Sequence, residues 1–433
     1  MTAKNHSDNT SVLIPLPFVA RYTYGVPRNM RLWPGDFVVV PLGNREVLGV
    51  VWDNKADKVP LEKLRYVRKK IEVRPLPEVS RRFIEWVSNY NIASEGAVLK
   101  MAMSVPDALK PVKPIIKYSL NTKLPKFRIT KERERVMVVL KKGPPLTARD
   151  LARESGVGLQ VVRGLSNLGA LTGEELSQST EYDVPDWRSK GPKLSEEQAD
   201  IVDQICEQIN AAKFIVSVLE GVPGSGKTEV YLEAICAVLS KGKQALVLLP
   251  EIALSAQWLE RFKNRFHCEP VLWHSDLALS QRRTAWRAVL QGDAKVIVGA
   301  RSALFLPFSD LGVIVIDEEH DGSFKQEEGV IYNARDMGVV RANLGNIPII
   351  LTSATPSLET VLNVQRGRYQ RYNLSKRHGG AVMPEISIID MRVQKVGVGQ
   401  WLSPKLLTTL HETFQAGEQA LLFLNRRGYA PLT

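Results

Sequence analysis

The chain has 433 residues, enough for two to four domains with buried cores. Its 44% hydrophobic and 24% charged residues are ordinary for a globular protein and argue against a disordered or fibrous chain. No apolar run approaches bilayer length and Met1–Thr10 is a polar stretch without a signal core, so a membrane-spanning or exported protein is not expected. Cys206, Cys236 and Cys268 are isolated, form no C-x-x-C pair, and fit structural roles in a reducing cytoplasm. The net charge of +12 lies wholly within residues 1–190, while residues 191–433 are balanced. A basic surface is often merely solvated, but one confined to half a chain also suits a phosphate backbone.

Residues 1–10 are expected to be a disordered tail, followed over 11–105 by a β-rich module. There, Asp36–Pro41 and Glu46–Trp52 flank Gly43-Asn44 as a hairpin, and Arg81–Tyr90 has helical spacing. Prolines from Pro106 to Pro125 predict a linker or irregular crossing. Helices over about 130–142, Leu146–Val157 and 159–168, with Gly156 in the turn, give a winged-helix pattern within 106–180. Gln160 and Arg163 lie on its candidate recognition helix, although such domains also serve protein contacts. Tyr182–Pro192 predicts a second linker.

From Lys193 onward apolar runs alternate with helical segments, which predicts a parallel sheet covered on both faces. Phe214–Leu219 reads as a buried strand, and Thr228–Leu239 as a helix. Between them Gly221-Val222-Pro223-Gly224-Ser225-Gly226-Lys227-Thr228 has the form G-x-x-x-x-G-K-[ST]. In such a loop the glycines turn backbone amides onto phosphates at a helix N-terminus, Lys227 reaches the β- and γ-phosphates, and Thr228 ligates Mg²⁺. Ninety residues after Lys227, the run Val313–Ile316 delivers Asp317-Glu318-Glu319-His320. Asp317 is placed to hold the same metal and Glu318 to orient the attacking water. Glu319 and His320 have weaker individual cases, because charged residues at a strand end are often only solvated.

The further series Leu194–Gln198, Leu249–Leu254, His274-Ser275, Val298–Pro307, Leu351–Ser357 and Leu424–Pro431 resembles superfamily-two helicases. Phe324–Glu327, Tyr332–Asp336 and Asn425–Tyr429 make it similar to the bacterial primosomal replication-restart helicases along nearly its whole length. The resemblance implies a multidomain α/β fold: a RecA-like P-loop helicase lobe over 181–375, preceded by the β-rich 3′-end DNA-binding domain and the winged helix. Residues 376–433 would open a second, incomplete lobe. It further implies that Gln198 reads adenine, that Pro250, Glu251 and Arg301 line a single-strand path, and that His320, Thr352, Ser353, Ala354 and Thr355 couple hydrolysis to strand movement. Phe324, Lys325 and Tyr332 would belong to an aromatic loop that senses DNA, with stacking as its physical basis.

Tyr22 and Tyr24 would contact a 3′ end. Here the chain departs from the family, with Thr23 where an acidic residue is usual, and a neutral hydroxyl is a weaker acceptor for a terminal 3′-OH. The family's zinc cysteines and arginine-finger motifs are expected beyond Thr433, so Zn²⁺ would join ATP and Mg²⁺ only in a longer product, and strand separation by these residues alone would be weak. The implied protein is a monomeric, cytoplasmic, nucleoid-associated 3′→5′ DNA helicase that recognises branched forks and starts primosome assembly. Its implied partners are DNA, other primosome proteins and single-strand-binding protein, with no membrane. Two alternatives stay open: a non-catalytic fork-binding scaffold, and an unrelated superfamily-two translocase.

Overall fold

The computed structural model describes residues 9–17, 21–53, 59–110, 115–176, 182–250, 256–377, 384–393 and 401–423. They fall into two units, Met1–His378 and Gly379–Thr433. The first unit opens with five antiparallel strands, β1 (Asn9–Leu13), β2 (Tyr22–Gly25), β3 (Phe37–Leu42), β4 (Arg45–Val51) and β5 (Lys69–Lys70), in the order β2-β1-β4-β3-β5. The β3–β4 hairpin turns on two residues, with Gly43 at φ +61° where a side chain would be strained. Strand β1 already begins at Asn9, so residues 9 and 10 belong to the sheet and not to a disordered tail. Helices α1 (Glu78–Tyr90) and α2 (Glu95–Ala102) follow, the latter capped by Ser94 Oγ, which accepts from Ala97 N. Gly96 lets α2 approach β1 closely, since a Cβ there would lie 1.9 Å from the Leu16 carbonyl oxygen.

The winged helix comprises β6 (Ile115–Leu120), α3 (Lys131–Lys142), β7 (Leu146–Thr147), α4 (Ala148–Ser155), α5 (Leu159–Asn167) and β8 (Leu171–Leu176), with sheet order β7-β6-β8. Thr130 and Thr147 cap α3 and α4, and Gly156 at φ +62° ends α4. Val136, Leu140, Leu151, Val162 and Leu165 form its core. The linker expected from Pro106 to Pro125 is only partly one. A 3-10 turn at Pro106–Leu109 buries Ala108 and Leu109, and Ile115–Leu120 is the central strand β6, because prolines flank the run and leave its own amides free to pair. The second expected linker lies against the next domain. Asp186 N donates to Phe266 O, and Arg265, paired in two-pronged fashion with Glu233, donates to Ser189 O.

The remaining elements of the first unit are α6 (Glu196–Ala211), β9 (Val216–Gly221), α7 (Lys227–Leu239), β10 (Gln244–Leu248), α8 (Ala256–Phe266), β11 (Val271–Trp273), α9 (Leu279–Gln291), β12 (Val296–Gly299), β13 (Leu311–Ile316), β14 (Lys325–Gln326), β15 (Tyr332–Asn333), α10 (Ala334–Gly345), β16 (Ile349–Ser353), α11 (Leu358–Gln365) and β17 (Gln370–Leu374). Seven parallel strands run in the order β11-β12-β10-β13-β16-β9-β17, covered by helices as a parallel sheet requires. The sequence suggests separate modules, but one apolar core spans the junction with the first domain. Phe83 of α1 packs on Phe305 at 5.2 Å, Phe37 of β3 meets Trp286 of α9 edge-on, and Trp286 Nε1 donates to Ala102 O. Arg341 of α10 is buried at this junction, between the rings of Phe83 and Phe308, donating to the Leu304 and Leu306 carbonyls. Burial lowers its pKa to about 9.

In the second unit the described regular element is α12 (Pro404–Gln415), capped by Ser403 with Pro404 in its first turn. Two glycines offer opposite tests of packing. Gly96→Ala should destabilise the first unit by about 1–3 kcal/mol through overpacking against Leu16 and Ile14. Gly164→Ala, inside α5 with open space at the Cβ position, should stabilise by about 0.5–1 kcal/mol. Thermal melts of both variants beside the wild type check the pair.

Candidate nucleotide-binding site

Strand β9 ends at Gly221, and α7 begins at Lys227. Between them Gly224 and Gly226 take φ +81° and +83°, which turns the loop onto the positive end of α7. The nearly buried Lys227 donates from Nζ to Gly221 O at 2.8 Å, so its ammonium already sits across the loop. Gln198 is part of the same construction. Its Oε1 accepts from Ser195 N, completing a capping box at the start of α6, and its Nε2 donates to Ser225 O at 2.8 Å. It is 3% exposed and touches the loop at Gly226, where a Cβ would fall 2.2 Å from Nε2. As placed, Gln198 braces the phosphate loop instead of presenting a free amide edge to adenine.

The acidic side of the site comes from β13, whose neighbours are β10 and β16. Asp317 Oδ1 accepts from Thr352 Oγ1 on β16 and from Glu318 N, and Oδ2 accepts from the Tyr231 hydroxyl on α7 at 2.9 Å. Glu318 turns with φ +49°, and burial with the neighbouring Asp317 charge holds its carboxyl above the usual range. His320 Nδ1 lies 2.8 Å from Ser353 Oγ and 3.6 Å from Glu318 Oε2, while Ser353 Oγ accepts from Thr355 N. The structure thus brings together Asp317, Glu318, His320, Thr352, Ser353 and Thr355; Ala354 has no polar side chain to add. Glu319 points elsewhere. Fully buried, it accepts from Ser357 N and Oγ, Thr360 Oγ1 and Arg335 Nη1, holding the start of α11 against α10.

Tyr231, one helical turn after Thr228, donates to Asp317, so the two oxygen donors expected for Mg²⁺ flank one side chain. Hard oxygen donors beside a phosphate loop fit that ion. Tyr231 lies outside every motif read from the sequence, although it stands three residues after Thr228 on one helix face, a spacing that could have drawn attention to it. Arg335 falls within the Tyr332–Asp336 segment that carries the resemblance, but without an expected role.

The residues expected to meet DNA divide. Arg301 Nη1 donates to Ser323 O at 2.8 Å and Lys325 O at 3.1 Å, clasping the aromatic segment, and Lys325 itself is exposed. Phe324 and Tyr332 are only 1% and 3% exposed, with Tyr332 edge-on to Phe305, so as placed they are core residues and not stacking platforms. Tyr24 is buried too, its hydroxyl donating to Pro41 O, while Tyr22 is half-buried. Packing against Phe305 and the apolar core outweighs exposure of Phe324 and Tyr332. Pro250 is described, but Glu251 and Asn425–Tyr429 lie outside the described residues.

Residues 195–364 match the DEAD/DEAH box helicase family, and residues 11–104 match the 3′DNA-binding domain (3′BD) family. A helicase-type lobe behind a 3′ DNA-binding domain is therefore the class that fold and site define. Replication restart protein PriA of Rickettsia conorii is 34% identical over 422 residues, covering 97% of this chain and 54% of that protein. The PriA of Haemophilus influenzae is 35% identical over 442 residues (98% and 59%), and that of Bacillus subtilis 39% over 291 residues (66% and 36%). The chain belongs to the PriA replication restart family, and it spans about half the length of the curated relatives it matches. Among solved structures, the Hef helicase domain of Pyrococcus furiosus aligns with a TM-score of 0.32 and 22% identity, over 41% of this chain and 38% of its own.

Adjacent Glu318 and Glu319 should answer differently to neutralisation. Glu319→Gln sets an amide donor among donors and breaks a buried ion pair, a loss of about 3–5 kcal/mol. Glu318→Gln, half-exposed and free of such bonds to α11, should stay within about 0.5 kcal/mol of wild type. Denaturant titration of the two variants checks this.

Proposed function

We propose that this chain forms the fork-recognising and ATP-hydrolysing part of a 3′→5′ DNA helicase of replication restart. The observation that carries the reading is the Asp317 carboxylate, held between Thr352 of β16 and Tyr231 of α7, beside the Lys227 loop. Thr228 and Asp317 would hold Mg²⁺, which supplies charge neutralisation at the phosphates. Lys227 exchanges the Gly221 carbonyl for phosphate oxygens, and the loop amides follow. Glu318 orients the attacking water; its raised pKa makes it a better proton acceptor than an ordinary carboxylate while it is ionised. Thr352 feels the state of Asp317 through one hydrogen bond, and Ser353 that of Glu318 through His320, so both acids are wired to one strand end.

On the DNA side, the basic excess of residues 1–190 suits forked DNA, and Arg301 controls the aromatic segment by gripping its backbone. Release of that grip would let Phe324 and Tyr332 leave the core. Family membership supports the direction of travel, the primosome and single-strand-binding partners, a zinc site and a location at the nucleoid. Gln198 would read adenine only after giving up its bonds to Ser195 N and Ser225 O. ATP hydrolysis by the 433-residue chain, with and without forked DNA, tests the proposal. Turnover should rise with DNA, vanish in Lys227→Ala and fall about 10²–10⁴-fold in Glu318→Gln. Tight fork binding with wild-type turnover no higher than Lys227→Ala would make the chain a scaffold and refute the catalytic reading.

A further inference from the structure

We propose that Tyr231 is a positioning residue whose phenol sets the Asp317 carboxylate for magnesium, with Trp258 holding the phenol oxygen from the other side. The inference rests on the ATP-site reading above and assigns a role to two residues outside the sequence motifs.

Tyr231 is fully buried on α7. Its oxygen lies 2.6 Å from Trp258 Nε1 of α8 and 2.9 Å from Asp317 Oδ2. An indole N–H can only donate, so the phenol is the acceptor in the first bond. An ionised carboxylate can only accept, so the single phenol proton goes to Asp317.

Asp317 Oδ1 is already taken by Thr352 and Glu318 N, so the unused lone pair lies on Oδ2, beside the bond from Tyr231. The phenol thereby selects which carboxylate oxygen, and which face of it, meets the metal or its water. Burial makes such bonds costly to leave unmade, which keeps the arrangement in register before any ligand arrives. Trp258 is itself held, 7% exposed and stacked on Phe262 at 5.6 Å.

The test is binding of fluorescently labelled ADP to the whole 433-residue chain, once in EDTA and once with Mg²⁺. Wild type should bind more tightly with Mg²⁺. Tyr231→Phe removes one oxygen atom, and should keep wild-type affinity in EDTA while losing about 5-fold of the Mg²⁺ gain, the worth of one net hydrogen bond. Trp258→Phe keeps the phenol and its bond to Asp317 but removes the donor that holds the phenol oxygen, and should lose a smaller part of the same gain. A merely structural role would move affinity in EDTA as much as in Mg²⁺. If Tyr231→Phe also fails in EDTA, Trp258→Phe decides. A full Mg²⁺ gain in both variants, or equal losses with and without Mg²⁺, overturns the proposal alone. Wild type that binds no nucleotide overturns the ATP-site reading, and the proposal with it.

Discussion

The position of β16 between β13 and β9 is the constraint on which the site depends. Because these strands are parallel, the loops after β9, β13 and β16 emerge at one sheet edge, where ligands of open α/β sheets collect. The phosphate loop and Asp317 are ninety residues apart in sequence and separated by one strand in the sheet. The penultimate residue of that strand is Thr352, whose hydroxyl fills the gap by bonding Asp317. Moving β16 would shift the acid as well, which gives the coupling strand a physical hold on the chemistry.

Helix α10 extends this hold in two directions. Near its start Arg335 reaches Glu319, the carboxylate beside the catalytic candidates, and so ties the helix to α11. Two turns later Arg341 binds the carbonyls of Leu304 and Leu306, just past Arg301, and meets Phe83 of α1. The helix therefore stands between the acidic strand end, the Arg301 segment and the first domain. A buried cation held by carbonyls, rings and the Ser80 hydroxyl, with no carboxylate bonded to it, is costly unless its geometry is kept. That cost favours one placement of the first domain on the lobe.

What was legible in the sequence follows from how local each signal is. The phosphate loop, the strand before it and the acidic strand end are continuous segments read directly from their spacing, and the parallel sheet brings Lys227, Asp317 and Glu318 to one edge. The three helices of the winged helix were legible from period and turn residues, whereas β6 was hidden among prolines. Burial of Phe324 and Tyr332 was not legible, because an aromatic in a polar segment reads as exposed until its tertiary neighbour, Phe305, is known. Tyr231 was hidden for the opposite reason. At a helical core position it reads as packing, and only the approach of Asp317 and Trp258 reveals its hydroxyl as a working group.

Where a divalent metal and a nucleotide sit decides whether this strand edge is an ATP site. Crystals grown with Mn²⁺ and a non-hydrolysable ATP analogue would show the metal by its anomalous signal. A peak is expected between the Thr228 hydroxyl and Asp317 Oδ2, with phosphates along Gly224–Lys227 and Lys227 released from Gly221. Nucleotide bound elsewhere, or manganese on other ligands with Lys227 still on the Gly221 carbonyl, would contradict that reading.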